Sequence, residues 1–218
     1  MNIDEFMAVG TGNITIEEYL KVLSSANAVP GGGGASGVVA SLGAALGAMV
    51  CNLTSGKKKY AEYQDEIEML TAKCEELRDR LLDEADEDAV CFKPLSEAYG
   101  LPKTTEDEAA YRDKVLNECL ERAAKAPLEM MKTIGEILVI LNRLSVIGSK
   151  LAISDVGVGA KFCVASTYTS SLNVFINTKL MKNRELAESI NSEALALIDK
   201  NSKIGEEAFD RVFAELKS

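Results

Sequence analysis

The sequence predicts an all-α protein, a single-domain helical bundle with closely packed Gly/Ala-rich helices at its centre. Apolar residues recur at three- and four-residue steps along most of the chain, which is typical of amphipathic helices. Runs of β-branched residues are short, and the turn signals are those of helix ends. Hydrophobic residues make up 47% of the 218 positions. We therefore expect one sizeable core and one domain over residues 1–218.

The predicted central element is a glycine-rich loop, Gly31 to Gly34, followed by a helix from Ser36 to Leu53. Gly43 and Gly47 lie among alanines, and such small residues let another helix backbone approach closely. One stripe of the helix carries its large apolar side chains: Val38, Val39, Leu42, Leu46, Met49, Val50 and Leu53. The charge-free run is long enough to cross a membrane. Its apolar residues keep to one stripe, however, so we expect a core helix and no membrane partner.

The loop itself allows two interpretations. Consecutive backbone N–H groups before a helix bind anions well, but a phosphate loop needs Lys-Ser/Thr after its last glycine, and Ala35 and Ser36 stand there. The glycines therefore form either a bare backbone that approaches a planar or anionic ligand, or a tight entry turn.

Composition narrows the chemistry further. The net charge of −10 argues against nucleic acid and anionic membranes as partners, and Lys57, Lys58 and Lys59 stand out as a local basic cluster. There is no histidine, so acid–base chemistry falls to Asp, Glu, Lys, Tyr or Cys. The five cysteines are widely spaced and predict buried free thiols. Acidic residues near the N-terminus, where a signal peptide carries bases, lead us to expect a cytoplasmic protein.

Asp88 is the first candidate catalytic residue. A long helix from near Tyr60 to Ala98 carries the apolar stripe Ile67, Leu70, Cys74, Leu77, Leu81, Cys91 and Leu95, and Asp88 falls on this stripe. A buried carboxylate is costly unless it is paired or neutralised, which favours a function. The alternative is that the apolar stripe shifts around the helix, so that Ala85 and Phe92 continue it and Asp88 reaches solvent at its edge. Asp86 points to roughly the opposite face, so we expect it at the surface.

Asp155 opens a second informative helix, in which Ser154 is a suitable N-cap. One narrow sector of this helix is small and polar: Gly159, Phe162, Ser166, Ser170, Asn173 and Asn177. This sector either lines a groove or packs against another small-residue helix. Between the two informative helices, Pro127 is expected to interrupt a helix that starts after Thr105.

Several motifs in order resemble the cyclodeaminase/cyclohydrolase family. They are Pro30-Gly31-Gly32-Gly33, the segment from Asn52 to Tyr60 that contains the three lysines, Asp86 to Phe92, Leu101-Pro102-Lys103, and Ser154-Asp155-Val156 with Asn173 to Asn177. The family comprises the C-terminal domain of formiminotransferase-cyclodeaminase and stand-alone methenyltetrahydrofolate cyclohydrolases. One departure is Gly34, where family members often carry Ser. The hydroxyl of that Ser has no counterpart in this chain unless Ser36 supplies it.

The resemblance implies an enzyme of one-carbon tetrahydrofolate chemistry with no metal and no cofactor beyond its folate substrate. The favoured reaction is hydrolysis of 5,10-methenyltetrahydrofolate, because no formiminotransferase domain is fused to this chain. Cyclodeamination of 5-formiminotetrahydrofolate is the alternative, and a non-catalytic folate-binding or helical assembly protein is the third.

The resemblance also assigns roles to residues. Asp88 and Asp155 are expected to be catalytic, and Asn173 and Asn177 to orient the substrate. The loop at Gly31, Gly32 and Gly33 is expected to contact it, and Lys57, Lys58, Lys59 and Lys103 to attract its glutamate tail. We further expect a homodimer in which the face with Gly43 and Gly47 lies at or near the interface.

Overall fold

The protein is all-α. The computed structural model describes residues 2–218, and in this range no residue lies in a strand. Seven α-helices follow one another: α1 (Ile3–Val9), α2 (Ile16–Leu23), α3 (Gly32–Thr54), α4 (Gln64–Tyr99), α5 (Glu106–Ile147), α6 (Ile153–Thr178) and α7 (Arg184–Lys217). Short 3-10 segments lie at Thr11–Asn13, Lys58–Tyr63 and Lys150–Ala152. The predicted fold class is confirmed.

Capping boxes start α1, α2 and α5. The Thr15 hydroxyl accepts from the Glu18 N–H at the start of α2, and Thr105 accepts from the Glu108 N–H at the start of α5. Pro127, by contrast, does not interrupt α5, which continues to Ile147. Pro127 is itself buried, so packing against neighbouring helices offsets the one backbone hydrogen bond that a proline removes.

Helix α3 lies at the centre and packs against α4, α5 and α6. It begins at Gly32, so the glycine run is its N-cap and first turn rather than a loop. The faces of α3 are also the reverse of those expected. Its small residues, including Gly43, Ala44 and Gly47, are buried within the bundle, whereas Leu42, Met49 and Leu53 are exposed. Close packing on three sides requires small side chains, and of the predicted apolar stripe only Val50 is fully buried.

The expected placement of Gly43 and Gly47 at a subunit interface is therefore wrong. A Cβ atom added to Gly43 would lie 2.6 Å from the Cys163 sulfur of α6, and one on Gly47 would lie 3.0 Å from the Cys74 sulfur of α4. Both glycines thus serve close helix packing inside one protomer. By length and composition α3 also qualifies as a membrane span, and 61% of its most apolar window is buried.

Helices α3 and α6 run antiparallel along each other. Ser36, near the start of α3, hydrogen-bonds Thr169 in the second half of α6, at 2.8 Å. Thr54, the last residue of α3, accepts from the Ser149 N–H just before α6, also at 2.8 Å. The N-terminus of α3 therefore lies at the C-terminal end of α6, and this arrangement determines which candidate residues meet.

Candidate active site

A cavity of about 210 Å³ lies at the N-terminus of α3. Helix α4 contributes Asp88 to its wall, and α3 contributes its first turn. The segment before α3, α5 and α6 complete the wall. The lining residues besides Asp88 are Ala28, Val29 and Gly31 before α3, Gly32 and Gly33 on α3, Phe92 on α4, Ala123 on α5, and Asn173, Ile176 and Asn177 on α6. The structure thus brings together Asp88, the three glycines and both asparagines that the sequence analysis selected.

Asp88 stands at the edge of the core stripe of α4. Ala85 continues the stripe and is 2% exposed, as the alternative of a shifted stripe supposes. The Asp88 carboxylate nevertheless faces the cavity rather than open solvent, because it lies against Gly33. A Cβ atom on Gly33 would be 2.2 Å from Oδ2 of Asp88. Only a glycine at this position leaves room for the carboxylate.

The charge state of Asp88 is governed mainly by burial. Burial raises the pKa of this carboxyl to about 6, and a hydrogen bond from the Gly34 N–H works against that rise. The carboxylate therefore changes its protonation state close to neutral pH, which suits a group that accepts and returns protons. Because the Gly34 main chain makes this contact, the contact does not depend on a side-chain hydroxyl at position 34.

Asn173 and Asn177 lie on one face of α6, opposite Asp88. The Asn177 amide donates to the carbonyls of Ala123 and Asn173, at 2.9 and 2.8 Å, and the Asn173 amide donates to Thr169. These bonds fix both side chains. Their Oδ1 atoms accept no hydrogen bond from the residues that the structure describes, so each can accept one from a ligand.

Ser36 faces a neighbouring groove of about 490 Å³ between α3 and α6, which shares Gly32 and Asn173 with the cavity. Its hydroxyl is bonded to the Gly32 carbonyl, at 2.7 Å, and to Thr169. The Ser36 hydroxyl is thus not placed beside Asp88.

Asp86 is not a free surface residue. It is partly buried and accepts from the Thr11 N–H at 3.0 Å and from the Thr11 hydroxyl at 2.5 Å. Gly10, with φ of 80°, approaches so closely that a Cβ atom there would lie 2.8 Å from the Asp86 carboxylate. Asp86 therefore fastens the segment between α1 and α2 to α4.

The second predicted carboxylate, Asp155, lies at the opposite end of the bundle. It is in the first turn of α6, which starts at Ile153 and not after a Ser154 cap. Eighteen residues separate it from Asn173 along α6, or about 27 Å at 1.5 Å per residue. Within one protomer, Asp88 and Asp155 therefore do not share a site.

The basic cluster lies at that distant end as well. Lys57 follows the end of α3, about 33 Å of helix from Gly32, and donates to Ser149 at 3.0 Å. Lys58 and Lys59 are exposed in the following 3-10 segment. Lys103 is exposed beyond the end of α4 and does not line the cavity.

Across residues 2–218, no group of three or more His, Cys, Asp or Glu side chains is placed to hold a metal ion.

Two residues near Asp88 were not selected from the sequence. Phe92 lines the cavity one helical turn beyond Asp88, and its i+4 spacing was a usable signal for that position. Tyr19 lies behind Gly34, where a Cβ atom on the glycine would be 3.8 Å from the Tyr19 hydroxyl. Nothing in the sequence indicates that α2 brings this tyrosine close to Asp88.

Known proteins share both the sequence and the fold. Residues 15–196 match the family model described as formiminotransferase-cyclodeaminase. A methenyltetrahydrofolate cyclohydrolase from Methylorubrum extorquens is 36% identical over 92% of this chain and 97% of its own length. The formimidoyltransferase-cyclodeaminase of Mus musculus is 28% identical over 85% of this chain but only 34% of its own length.

A solved structure agrees with these matches. The crystal structure of formiminotetrahydrofolate cyclodeaminase from Thermotoga maritima has a TM-score of 0.84 and 25% identity, and the match covers 94% of this chain and 98% of that one. Fold, cavity and relatives together define an all-α enzyme class of folate one-carbon metabolism. The chain belongs to the formiminotransferase-cyclodeaminase family, and the resemblance read from its motifs is confirmed.

Proposed function

We propose that this protein hydrolyses 5,10-methenyltetrahydrofolate to 10-formyltetrahydrofolate at the cavity beside Asp88. The observation that carries the proposal is a carboxylate held against the first turn of α3, with a pKa of about 6, facing two fixed amides. The 36% identity to a methenyltetrahydrofolate cyclohydrolase over nearly its whole length supports this choice of substrate.

In the proposed reaction the ionised Asp88 faces the methenyl carbon, which is cationic between N5 and N10. Asp88 accepts a proton from water as the water oxygen bonds to that carbon. The same proton passes to N5 when the C–N5 bond breaks, and the remaining hydroxyl proton leaves as the formyl carbonyl forms. One proton is released for each cation hydrolysed. Asn173 and Asn177 orient the ring by accepting from its N–H groups.

Cyclodeamination of 5-formiminotetrahydrofolate is the second candidate. It is favoured by the similarity to the Thermotoga maritima cyclodeaminase. Both reactions pass through a tetrahedral carbon between two nitrogens, so the same carboxylate and amides serve either one.

We propose that the protein acts as a homodimer joined through the outer face of α3 and α6. Large apolar side chains on this face are exposed in one protomer: Leu42, Met49 and Leu53 on α3, and Val158, Phe162, Leu172 and Ile176 on α6. A continuous apolar face of this kind is typical of an interface. The partner would be a second copy of this chain, with no membrane and no nucleic acid in the assembly.

The dimer would reunite the separated candidate residues. A two-fold axis perpendicular to α3 and α6 near their middle places the cavity of one protomer against the opposite end of its partner. Because the two helices are antiparallel, that opposite end contains both the C-terminus of α3 and the N-terminus of α6. Lys57, Lys58, Lys59 and Asp155 of one protomer then approach Asp88 of the other. In this arrangement the lysines attract the glutamate tail of the substrate. A contribution from Lys103 and the cytoplasmic location stay predictions from the sequence.

Two parallel assays test the reaction. The absorbance of the methenyl compound is followed with and without protein, and ammonia release is measured with the formimino compound. The proposal expects methenyl hydrolysis well above the buffer rate and faster than ammonia release. Ammonia release alone would make the protein a cyclodeaminase, and activity in neither assay would contradict both reactions.

Sedimentation tests the interface. Phe162→Glu places a charge in the middle of the apolar face and should shift the protein to monomer. Val139→Glu is the matched control, because Val139 is also exposed but lies on α5. A monomeric wild-type protein with full activity would contradict the proposed assembly.

A further inference from the structure

The cavity beside Asp88 is too small to hold a whole folate. Its volume is about 210 Å³, whereas pockets for drug-sized ligands measure roughly 300–1,000 Å³. A folate consists of a pterin ring, a p-aminobenzoyl group and a glutamate. In the proposed reaction the pterin ring occupies the cavity, so the rest of the molecule must lie in an adjoining space.

The adjoining space is the groove of about 490 Å³ between α3 and α6, here called the α3/α6 groove. Gly32 and Asn173 line both the cavity and this groove. A Cβ atom on Gly32 would lie 3.8 Å from Nδ2 of Asn173, so these two residues flank the connection between the two spaces. The groove beside Arg122 and the groove beside Tyr19 share no lining residue with the cavity.

The lining of the α3/α6 groove suits an uncharged aromatic ring. None of its lining residues is charged, and Val39 and Leu172 supply its largest apolar side chains. Leu172 is 66% exposed, so a ring in the groove would remove apolar surface from water. The position is also chemically suitable. N10 of the substrate bears the benzoyl ring and is bonded to the reacting carbon, so the ring lies next to the cavity.

The groove contains one buried hydroxyl that the protein leaves unpaired. Among its three hydroxyl side chains, those of Ser36 and Thr169 hydrogen-bond each other at 2.8 Å. Ser166 is 1% exposed, and its Oγ has no hydrogen-bond partner in the described part of the chain. A buried hydroxyl without a partner is costly, and alanine would avoid the cost.

Ser166 also lies at a suitable distance from the cavity. It is seven residues before Asn173, or about 10 Å along α6. A benzoyl ring that starts beside Asn173 would bring the amide that follows it towards Ser166. The amide carbonyl of the ligand would then accept the hydrogen bond that this hydroxyl lacks in the free protein.

We propose that the α3/α6 groove is the subsite for the p-aminobenzoyl arm of the folate substrate, with Ser166 donating to the amide of that arm. The ring packs between Val39 and Leu172, and the glutamate carboxylates lie outside this uncharged groove. Leu172 also belongs to the face proposed for the dimer, so a second protomer closes the groove over the ring. The inference rests on the proposed function only in taking a folate as the ligand of the cavity.

The test compares the binding of tetrahydrofolate with that of 6-methyltetrahydropterin, which has the same reduced ring but no arm. Isothermal titration calorimetry under argon gives both Kd values, and their ratio measures the contribution of the arm without any turnover. The wild type should bind tetrahydrofolate at least about 10-fold more tightly than the pterin, because the arm buries an apolar ring.

Two variants should reduce this ratio without changing the Kd of the pterin. In Val39→Trp the new side chain points back along α3 towards Gly32, as helical side chains do, and fills the groove, so the ratio should fall close to one. Ser166→Ala should lower the ratio about 3- to 10-fold, the value of one neutral hydrogen bond. The thermal stability of the free Ser166→Ala protein should not fall, because no hydrogen bond is lost.

Val139→Trp is the matched control, because Val139 is exposed on α5 and lines neither the cavity nor the groove. It should keep the wild-type ratio. Sedimentation of every variant shows whether the dimer is retained, and if Val39→Trp changes the assembly, Ser166→Ala decides.

The outcomes separate this inference from the proposed reaction. An unchanged ratio in both variants, with tetrahydrofolate still bound, would overturn the subsite and leave the reaction unaffected. Reduced ratios in a protein that hydrolyses no methenyl compound would support the subsite and contradict the reaction. A wild type that binds the pterin and tetrahydrofolate equally, or binds neither, would overturn the subsite.

Discussion

At the scale of single residues, Asp88 combines burial with very few partners. A buried carboxylate normally gains several donors or a cation, and this one gains one backbone N–H. Its pKa therefore rises towards neutrality, and the ionised carboxylate lowers the stability of the folded protein. A site with this character favours proton transfer over stability, which is a common compromise in enzymes.

The pH profile of activity follows from this state. If ionised Asp88 is the base, kcat/KM for methenyl hydrolysis, corrected for the buffer rate, should rise through an apparent pKa near 6 and level off above it. In Asp88→Asn the residual rate should lose this step. A wild-type profile that falls as pH rises through 6 would show that the protonated acid is the active form.

Stability should respond in the opposite sense. Because the folded pKa of about 6 lies above the ordinary 3.8, the folded state loses stability as pH rises between these values, and the full cost is present above 6. Asp88→Asn removes that cost, which is at most about 3 kcal/mol. Thermal unfolding should therefore show the variant to be more stable than wild type at pH 8, with a smaller difference at pH 4.5. Equal differences at both pH values would contradict the assigned shift.

At the scale of elements, α3 joins the core to the site. Its small face lets α4 and α6 approach, and the same absence of side chains at its first turn makes room for Asp88. The glycines of α3 therefore have two roles: Gly37, Gly43 and Gly47 allow close helix packing, and Gly33 leaves space for a carboxylate.

Gly33→Ala isolates the second task. The new methyl group would lie 2.2 Å from Oδ2 of Asp88, so the carboxylate must turn away. We expect kcat/KM to fall by roughly 10- to 100-fold, as a displacement of about 1 Å can cost. The loss of stability should be small, because alanine is the better helix former. Gly12→Ala, whose Cβ atom would lie 3.6 Å from Leu82, is the matched control. Normal activity in Gly33→Ala would mean that Asp88 does not work from this position.

The sequence predicted the existence of α3 correctly but assigned its faces wrongly. Periodicity shows that Leu42 and Met49 share a stripe opposite Gly43 and Gly47, but it does not show which stripe meets the core. Several helices approach α3 within one protomer, so the small stripe is the buried one. Pro127 was misjudged for a related reason, because tertiary packing offsets a local helix preference that sequence alone overestimates.

At the scale of the whole molecule, the candidate residues form two groups at opposite ends of one bundle. The motifs selected Asp88, Asn173 and Asn177 correctly as neighbours, because each faces the start of α3. They also selected Lys57 to Lys59 and Asp155, which lie about 30 Å away in the same protomer. Motif order along the chain carries no information about this separation, which depends on the antiparallel pairing of α3 with α6.

Mixing two defective variants tests whether these groups meet across an interface. Asp88→Asn and the triple variant K57A/K58A/K59A should each be impaired alone. The two variants are mixed in equal amounts, and after subunit exchange half of the dimers contain one protomer of each kind. Each mixed dimer has one site with both an intact Asp88 and intact lysines. About a quarter of wild-type turnover at low substrate concentration should therefore return. Asp88→Asn mixed with itself is the control and should gain nothing. If exchange is demonstrated and activity does not recover, the lysines do not serve the partner's site.

The most direct test of the central claim is the rate of methenyltetrahydrofolate hydrolysis by wild type and Asp88→Asn, measured side by side at pH 7.5 with folate binding measured on both. If Asp88 moves the proton, the wild type should hydrolyse the compound well above the buffer rate, and the variant should lose about 100- to 10,000-fold in kcat while still binding folate. A variant that binds and hydrolyses the substrate as fast as the wild type would contradict the assignment of Asp88 as the catalytic carboxylate.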